Sequence, residues 1–359
     1  PTPKLSGAAI LVAVLVSGAL FLPADGETRS ILGGAAVIAL VGLVDDVFDL
    51  SAPVKLLGQS GAALIPVLGG VRADVVTLPF IGGFELGWVA YPATVIGIVA
   101  VVNVINFTDG VDGLAAGVCA IAAGALAIVA LSLDRNAAGV LAALTAGGAL
   151  GFLRHGFPPA SSFMGDTGSN LLGYLLATAA IQGALKTNAV IALAFPLVIL
   201  AVPILDGGFV IAKRLKYRQP IYQADRWHFH HRMANLGFSQ RRTLAYLYGW
   251  TLVLAGVALA LRFIPYSDDR GNFDAAWTTV MVAILISALA ASVYLVVVLE
   301  ILKLRRERLR QVFGLREEAG RPAPSPEEVD RAVARELETG SFPAVDPETG
   351  EFEAVRRPP

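Results

Sequence analysis

Three short polar clusters interrupt an otherwise apolar chain: Asp45-Asp46-x-x-Asp49, Asn103-x-x-Asn106-x-x-Asp109-Gly110-x-Asp112-Gly113, and Gly165-Asp166-x-Gly168-Ser169. Each stands where a long apolar stretch ends or begins. A carboxylate at a membrane boundary is costly, so a set of them points to function. Asp45 and Asp46 are adjacent and project in different directions from a helix end. One can then hold Mg²⁺ while the other meets a substrate, because magnesium takes one or two carboxylates plus phosphate oxygens and water. A water-facing pair of terminal aspartates is the blander reading, disfavoured because a helix C-terminus is already negative. Asn106, Asp109 and Asp112 recur every three residues and share a face on a helical or near-helical turn. Gly110 and Gly113 let a backbone or a phosphate approach closely. An ordinary interhelical turn with capping Asn and Asp is the alternative. In the third cluster, Asp166 and Ser169 could simply cap the helix that follows, or its N–H groups could bind an anion.

A fourth polar element, Asp225-Arg226-Trp227-His228-Phe229-His230-His231-Arg232, holds three of the four histidines. His-x-His-His is compatible with zinc. No further nitrogen or sulfur ligand lies nearby, however, and Arg226 and Arg232 favour an anion. Histidine donors beside arginines suit phosphate or pyrophosphate. His155, alone in another loop, reads as structural or solvated. Cys119, the only cysteine, sits in an Ala-rich apolar run and reads as a packing residue, so no intrachain disulfide forms.

The elements that position these clusters follow from composition. The chain is 55% hydrophobic and 16% charged, with mean hydropathy +0.65, against about 25% charged residues in a soluble domain. It is a polytopic membrane protein by this reading. Apolar spans are expected over 5–24, 30–44, 54–70, 90–106, 113–133, 137–153, 169–185, 188–206, 243–263 and 276–301. Several are shorter than the roughly 20 residues a perpendicular span prefers. Their turns must extend into the flanking motifs, or they are buried in a bundle. Richness in Ala, Gly and Val favours close helix packing. Basic residues concentrate in loop 213–242 and over 303–310, while the opposite loops hold single ones at Arg29, Arg72, Arg135 and Lys186. The positive-inside rule makes the former side cytoplasmic, with both chain ends and all four polar elements on it. Segment 71–88 is extracytoplasmic, with two β-prone runs flanking Gly82-Gly83 as a hairpin. Residues 311–359, rich in Glu, Pro, Arg and Gly, read as a disordered cytoplasmic tail. Its near repeat, 338–345 and 348–355, reads as linker drift or as a docking motif.

Taken in order, Asp45-Asp46-Val47-Phe48-Asp49, Asn103 to Leu114, Phe163 to Ser169 and His228-Phe229-His230-His231-Arg232 closely resemble the motifs of the polyprenyl-phosphate N-acetylhexosamine-1-phosphate transferases, glycosyltransferase family 4. The resemblance covers about residues 1–310, which would form the transmembrane catalytic domain. It implies an all-α bundle of about eleven spans, ten of them in this chain, with a small extracytoplasmic β-hairpin. The start, Pro1-Thr2-Pro3-Lys4, resembles the segment after the family's first span, with Ser6 in place of a glycine, so that span is expected to be missing. The interrupted His-x-His-His-Arg resembles the branch that uses UDP-N-acetylglucosamine. The branch that uses UDP-N-acetylmuramoyl-pentapeptide has a continuous triple His. An actinobacterial source, and so a decaprenyl lipid, is a compositional guess.

The implied reaction joins GlcNAc-1-phosphate from UDP-GlcNAc to undecaprenyl or decaprenyl phosphate, releasing UMP, as the first membrane step of a cell-envelope polysaccharide. By resemblance Asp166 and Asn106 are metal-site residues with Asp46 beside them, and the cofactor is Mg²⁺, replaceable by Mn²⁺. Asp45 resembles the residue that deprotonates or orients the lipid phosphate; Asp109 and Asp112 resemble the acids that organise nucleotide and metal. Lys55 matches a lysine near the lipid phosphate, and His228, His230, His231 and Arg232 would bind the sugar diphosphate. Asp206 matches a family position without an assigned chemistry. A homodimer is an open expectation, and nucleic acid is not an expected partner. Another UDP-N-acetylhexosamine, or UDP-MurNAc-pentapeptide, is the alternative donor. A secondary transporter is the remote rival, disfavoured because the acids sit at span ends and the halves show no inverted repeat.

Overall fold

The computed structural model describes residues 6–78, 82–185, 200–216, 229, 233–234, 238–264 and 274–294. The helices are α1 (Ser6–Phe21), α2 (Gly26–Phe48), α3 (Ala52–Leu68), α4 (Ala90–Thr108), α5 (Leu114–Ser132), α6 (Asn136–Gly156), α7 (Gly165–Ala180), α8 (Ala201–Lys216), α9 (Gln240–Phe263) and α10 (Ala275–Tyr294). Six of them, α2, α4, α5, α6, α9 and α10, are long and apolar enough to cross a membrane. Shorter apolar helices lie at Ser6–Phe21, Ala52–Leu68 and Ala201–Ile211. Ten full-length spans are therefore not established. The expected segment 188–206 is the clearest shift: residues 186–199 lie outside the described residues, and α8 continues to Lys216. Lys213, Arg214 and Lys216 thus sit on a helix, not in a loop, and Arg214 is buried.

Local signals set the helix ends. Asp25 caps α2 by accepting from the Thr28 backbone N–H at 2.8 Å, and Glu27 adds negative charge to the same first turn. Asp49 closes α2 in the left-handed region, φ 52°, its N–H donating to the Asp45 carbonyl. The hairpin expected from sequence within 71–88 is present as β1 (Val75–Leu78) and β2 (Gly82–Glu85), antiparallel, with Val75 opposite Glu85. Gly82 and Gly83 are paired within β2, against Leu78 and Thr77, so the Gly-Gly pair lies in a strand and not in the turn.

The chain divides into two compact units, one of residues 1–222 and 247–285, the other of 223–246 and 286–359. In the second, Phe238 packs edge-on to Tyr246. In the first, α5 and α7 form the core. α5 is apolar or small on every side and mostly buried, and nearly every residue of α7 is buried although its first turns carry Asp166 and Asn170. Cys119 is one of these, fully buried in α5 as expected for a packing residue. α7 packs against α1, α2 and α4, and α5 packs against α6. α2 and α7 run antiparallel, Gly34 meeting Tyr174 and Gly42 meeting Asp166. The Tyr174 hydroxyl donates to the Ile31 carbonyl at 3.0 Å, pinning the two helices in depth. This packing brings the C-terminal ends of α2 and α4 to the N-terminal end of α7. The tail expected over 311–359 lies outside the described residues.

Candidate functional site

α7 begins with an unusual start. Its flanking Met164 offers no side-chain cap, so the first N–H groups of the helix need an acceptor from elsewhere. Asp46 supplies it from the last turn of α2. Asp166 N donates to Asp46 Oδ1 at 2.9 Å, and Thr167 N and Thr167 Oγ1 donate to Asp46 Oδ2 at 3.0 and 2.8 Å. An aspartate at a helix C-terminus is unfavourable by itself, but here it stands at the positive end of a second helix. Neither Asp166 nor Ser169 caps α7. Two glycines permit the approach. Gly165 has φ +63°, and a Cβ there would fall 2.5 Å from Asp46 Oδ2. Gly42, one turn before Asp46, would with a Cβ stand 2.5 Å from the Asp166 carbonyl oxygen. Composition offered no signal for Gly42; its position four residues from Asp46 on a helix is the only hint.

Asp45 points elsewhere, as two adjacent helical residues must. Its Oδ1 accepts from the Leu50 backbone N–H at 2.8 Å, and its Oδ2 lies 2.6 Å from Lys55 Nζ at the start of α3. The same Lys55 Nζ donates to Asp166 Oδ2 at 2.7 Å, so one ammonium joins two carboxylates from α2 and α7. Asp166 Oδ1 accepts from Asn106 Nδ2 at 2.5 Å, and that amide also donates to Ser169 Oγ at 2.9 Å. Asp45, Lys55, Asp166 and Asn106, drawn from four helices, thus form one connected set.

The second cluster is not one continuous helical face. α4 ends at Thr108, Asp109 caps it in a non-helical conformation, and Gly113 at φ +75° turns the chain into α5. Asp112 Oδ2 accepts from the Ala160 backbone N–H at 3.1 Å, which ties this turn to the 157–164 loop. Tyr248 of α9 donates its hydroxyl to the Gly113 carbonyl at 2.6 Å, a brace the sequence motifs did not indicate.

These residues enclose a cavity of about 740 Å³ lined by six carboxylates, Asp45, Asp46, Asp49, Asp109, Asp112 and Asp166, together with Asn106 and the 162–165 backbone segment. Asp109 is poorly solvated and faces Asp166, Asp46 and Asp112, and burial first, then those charges, push its carboxyl well above the usual range. A divalent cation would offset the mutual repulsion of such a set of acids. Hard oxygen donors suit Mg²⁺ or Mn²⁺. Among the described residues no group of three His, Cys, Asp or Glu side chains is placed to hold a metal ion by itself. An ion at this site would take one or two of these carboxylates and complete its shell with phosphate and water.

His155 is exposed at the end of α6 and does not line the cavity. His228, His230, His231 and Arg232 lie outside the described residues, and Phe229 between them is buried. Asp206 is buried in α8.

The chain matches the model of glycosyl transferase family 4 over residues 28–184, which includes the three acidic clusters. It is 40% identical over 262 residues to a probable undecaprenyl-phosphate N-acetylglucosaminyl 1-phosphate transferase of Bacillus subtilis, covering 72% of this chain and 73% of that protein. It is 35% identical over 297 residues to the decaprenyl-phosphate N-acetylglucosaminephosphotransferase of Mycobacterium leprae, 74% of this chain and 75% of that one. A phospho-N-acetylmuramoyl-pentapeptide-transferase of Moorella thermoacetica is 32% identical over 283 residues, 72% of this chain and 84% of its own length.

Proposed function

The chain belongs to glycosyl transferase family 4, and from that membership and the acid-lined cavity we propose that it transfers GlcNAc-1-phosphate from UDP-GlcNAc to a polyprenyl phosphate, giving polyprenyl-pyrophosphoryl-GlcNAc and UMP. The observation that carries the reading is the six-carboxylate cavity with Lys55 threaded between Asp45 and Asp166. The chain is a multi-pass membrane protein, and the basic residues of 213–242 and 303–310 support a cytoplasmic site where a nucleotide sugar is available.

In the reaction, an oxygen of the lipid phosphate bonds to the β-phosphorus of UDP-GlcNAc. The bond from that phosphorus to the bridging oxygen breaks, and UMP leaves with the electron pair. Both reactants are anions, so alignment and charge neutralisation come first. Asp166 and Asn106, with Asp109 and Asp112 on the same cavity wall, would hold Mg²⁺, which would supply neutralisation of the pyrophosphate charge. Lys55 offers its ammonium to the lipid phosphate, and Asp45 orients Lys55 and the incoming phosphate. A phosphate monoester has its second pKa near 6, so much of the acceptor is already dianionic and Asp45 need not remove a full proton. Asp46 acts through α7, whose first turn it holds in place so that Asp166 faces the cavity. The 228–232 histidines and Arg232 bind the sugar diphosphate.

The test is a donor panel. Purified protein is given a defined polyprenyl phosphate and radiolabelled UDP-GlcNAc, UDP-GalNAc or UDP-MurNAc-pentapeptide, and both UMP and labelled lipid are measured. Preferred turnover of UDP-GlcNAc is expected. Preference for the pentapeptide donor would move the protein to the other branch, and no UMP from any donor would reject the reading.

A further inference from the structure

Beneath the connected set of Asp45, Lys55, Asn106 and Asp166 lies a second polar layer to which the motifs assign no role. Gln59 of α3, Asn103 of α4 and Asn170 of α7 meet in the apolar interior. Asn103 Nδ2 donates to Gln59 Oε1 at 2.7 Å and to the Val99 carbonyl at 2.8 Å. Gln59 Nε2 donates to Asn170 Oδ1 at 3.4 Å. Gln59 and Asn170 are fully buried.

The spacing repeats on all three helices. Gln59 is four residues beyond Lys55, Asn170 is four beyond Asp166, and Asn103 is three before Asn106. Residues three or four apart share a helix face, so each amide sits about one turn, roughly 5 Å, below its partner in the site. The upper layer joins α3 to α7 through Lys55 and Asp166 and α4 to α7 through Asn106 and Asp166; the lower joins α3 to α4 and α3 to α7. Two stacked layers of bonds fix both the depth and the rotation of three helices, which a single layer does not.

The lower layer carries a cost in stability. Among the described residues Asn170 Nδ2 is buried without a hydrogen-bond partner. An apolar side chain of similar volume would avoid that cost, since replacing buried polar partners by shape-matched apolar ones is often neutral or stabilising.

We propose that Gln59, Asn103 and Asn170 are positioning residues, an amide layer that sets the register of α3, α4 and α7 so that Lys55, Asn106 and Asp166 meet. The proposal rests on the transferase reading for its activity assay but not for its Mn²⁺-binding readout. A 1 Å displacement in such a site costs about 100-fold in rate, so a broken layer acts on kcat.

The experiment is a length-swap cycle in the full chain. Gln59→Asn and Asn103→Gln each break the 59–103 bond, and the double variant restores it with the lengths exchanged. Asn170→Leu, an apolar swap that keeps the branching and the number of side-chain heavy atoms, tests the layer from α7. Three quantities are read: kcat and KM for UDP-GlcNAc, the thermal midpoint in detergent, and Mn²⁺ half-saturation by electron paramagnetic resonance in the presence of UMP. Each single variant is expected to lose about 10-fold or more in kcat and to weaken Mn²⁺ binding, and the double to recover most of both. Asn170→Leu is expected to lose kcat with an unchanged or higher thermal midpoint. Singles that turn over like wild type, a double no better than the worse single, or kcat that simply follows the thermal midpoint would each overturn the proposal. If the wild type turns over no UDP-sugar, the transferase reading fails, while Mn²⁺ half-saturation still decides the layer: movement across the cycle supports it and constancy rejects it. A single that does not fold leaves the decision to Asn170→Leu.

Discussion

Asp25 and Asp46 are the same residue at opposite ends of one helix, and both cap a helix. Asp25 caps its own, accepting from Thr28 three residues on. Asp46 caps α7, with partners 120 and 121 residues away. The ends around them differ in the same way. Near Asp25 the acids are matched locally or by neutral partners: Arg72 holds Asp74 at 2.6 Å, and Gln182 donates to Glu27 at 3.0 Å. Around Asp46 six carboxylates face one cavity, and Lys55 is the cation that bonds two of them. The titration follows. The Thr28 backbone N–H beside Asp25 holds its carboxyl below the usual range, whereas burial and three neighbouring acids hold Asp109 well above it. Acids matched one by one serve the fold. Acids gathered from several helices around one cavity, where among the described residues Lys55 bonds two of them, are what the proposed cationic ligand would meet.

The sharpest way to break this contrast is Asp166→Asn. It keeps volume and removes charge from the residue where Lys55 and Asn106 meet. Turnover is expected to fall at least about 100-fold with the fold retained, as judged by helical circular dichroism and elution as a single species. Asp46→Ala comes next. It strips three hydrogen bonds from the start of α7, so it is expected to cost about 1–2 kcal/mol and to reduce turnover through the position of Asp166. Both quantities should move together in a paired stability and rate measurement.

Asp109→Asn should separate stability from activity. The folded-state pKa of Asp109 lies above its unfolded value, so ionising it in the metal-free fold is costly. That cost is absent below about pH 4, where both states are protonated, and it grows as pH rises through the folded pKa. Asp109→Asn should therefore raise the thermal midpoint of the metal-free protein at neutral pH, with the advantage vanishing at acid pH, and should still impair turnover. Melts across pH in chelator check the sign. The smallest effect is expected at the other end. Asp25→Ala should cost about 1 kcal/mol and leave turnover unchanged. Its contribution runs the opposite way with pH, present above the unfolded pKa and lost as pH falls through the depressed folded value.

Much of this was legible in the chain because it is local. The apolar runs marked α2 through α6 to within a few residues, and the three acidic clusters gather around one cavity. What escaped is long-range. Nothing near Asp46 says that its partner is the start of a helix at 165, and nothing near Gly42 says that the Asp166 backbone will press on it. The periodicity of Asn106, Asp109 and Asp112 read as one face, but the glycines broke the helix between them. Gly82-Gly83 looked like a turn because glycine is permissive, yet the pairing of β1 and β2 absorbed both into a strand. The end of α8 was missed because basic residues suggested a loop, although long charged side chains are good helix formers.

The central claim is that the acid-lined end of the bundle holds a divalent cation and uses it for sugar-1-phosphate transfer. The most direct measurement is turnover of UDP-GlcNAc with polyprenyl phosphate in excess EDTA, followed by back-titration with Mg²⁺ or Mn²⁺, on wild type and Asp166→Asn. The expected result is no turnover in EDTA, full recovery of the wild type with either ion, and no recovery of Asp166→Asn at matched concentrations. Turnover that persists undiminished in excess EDTA would contradict the claim.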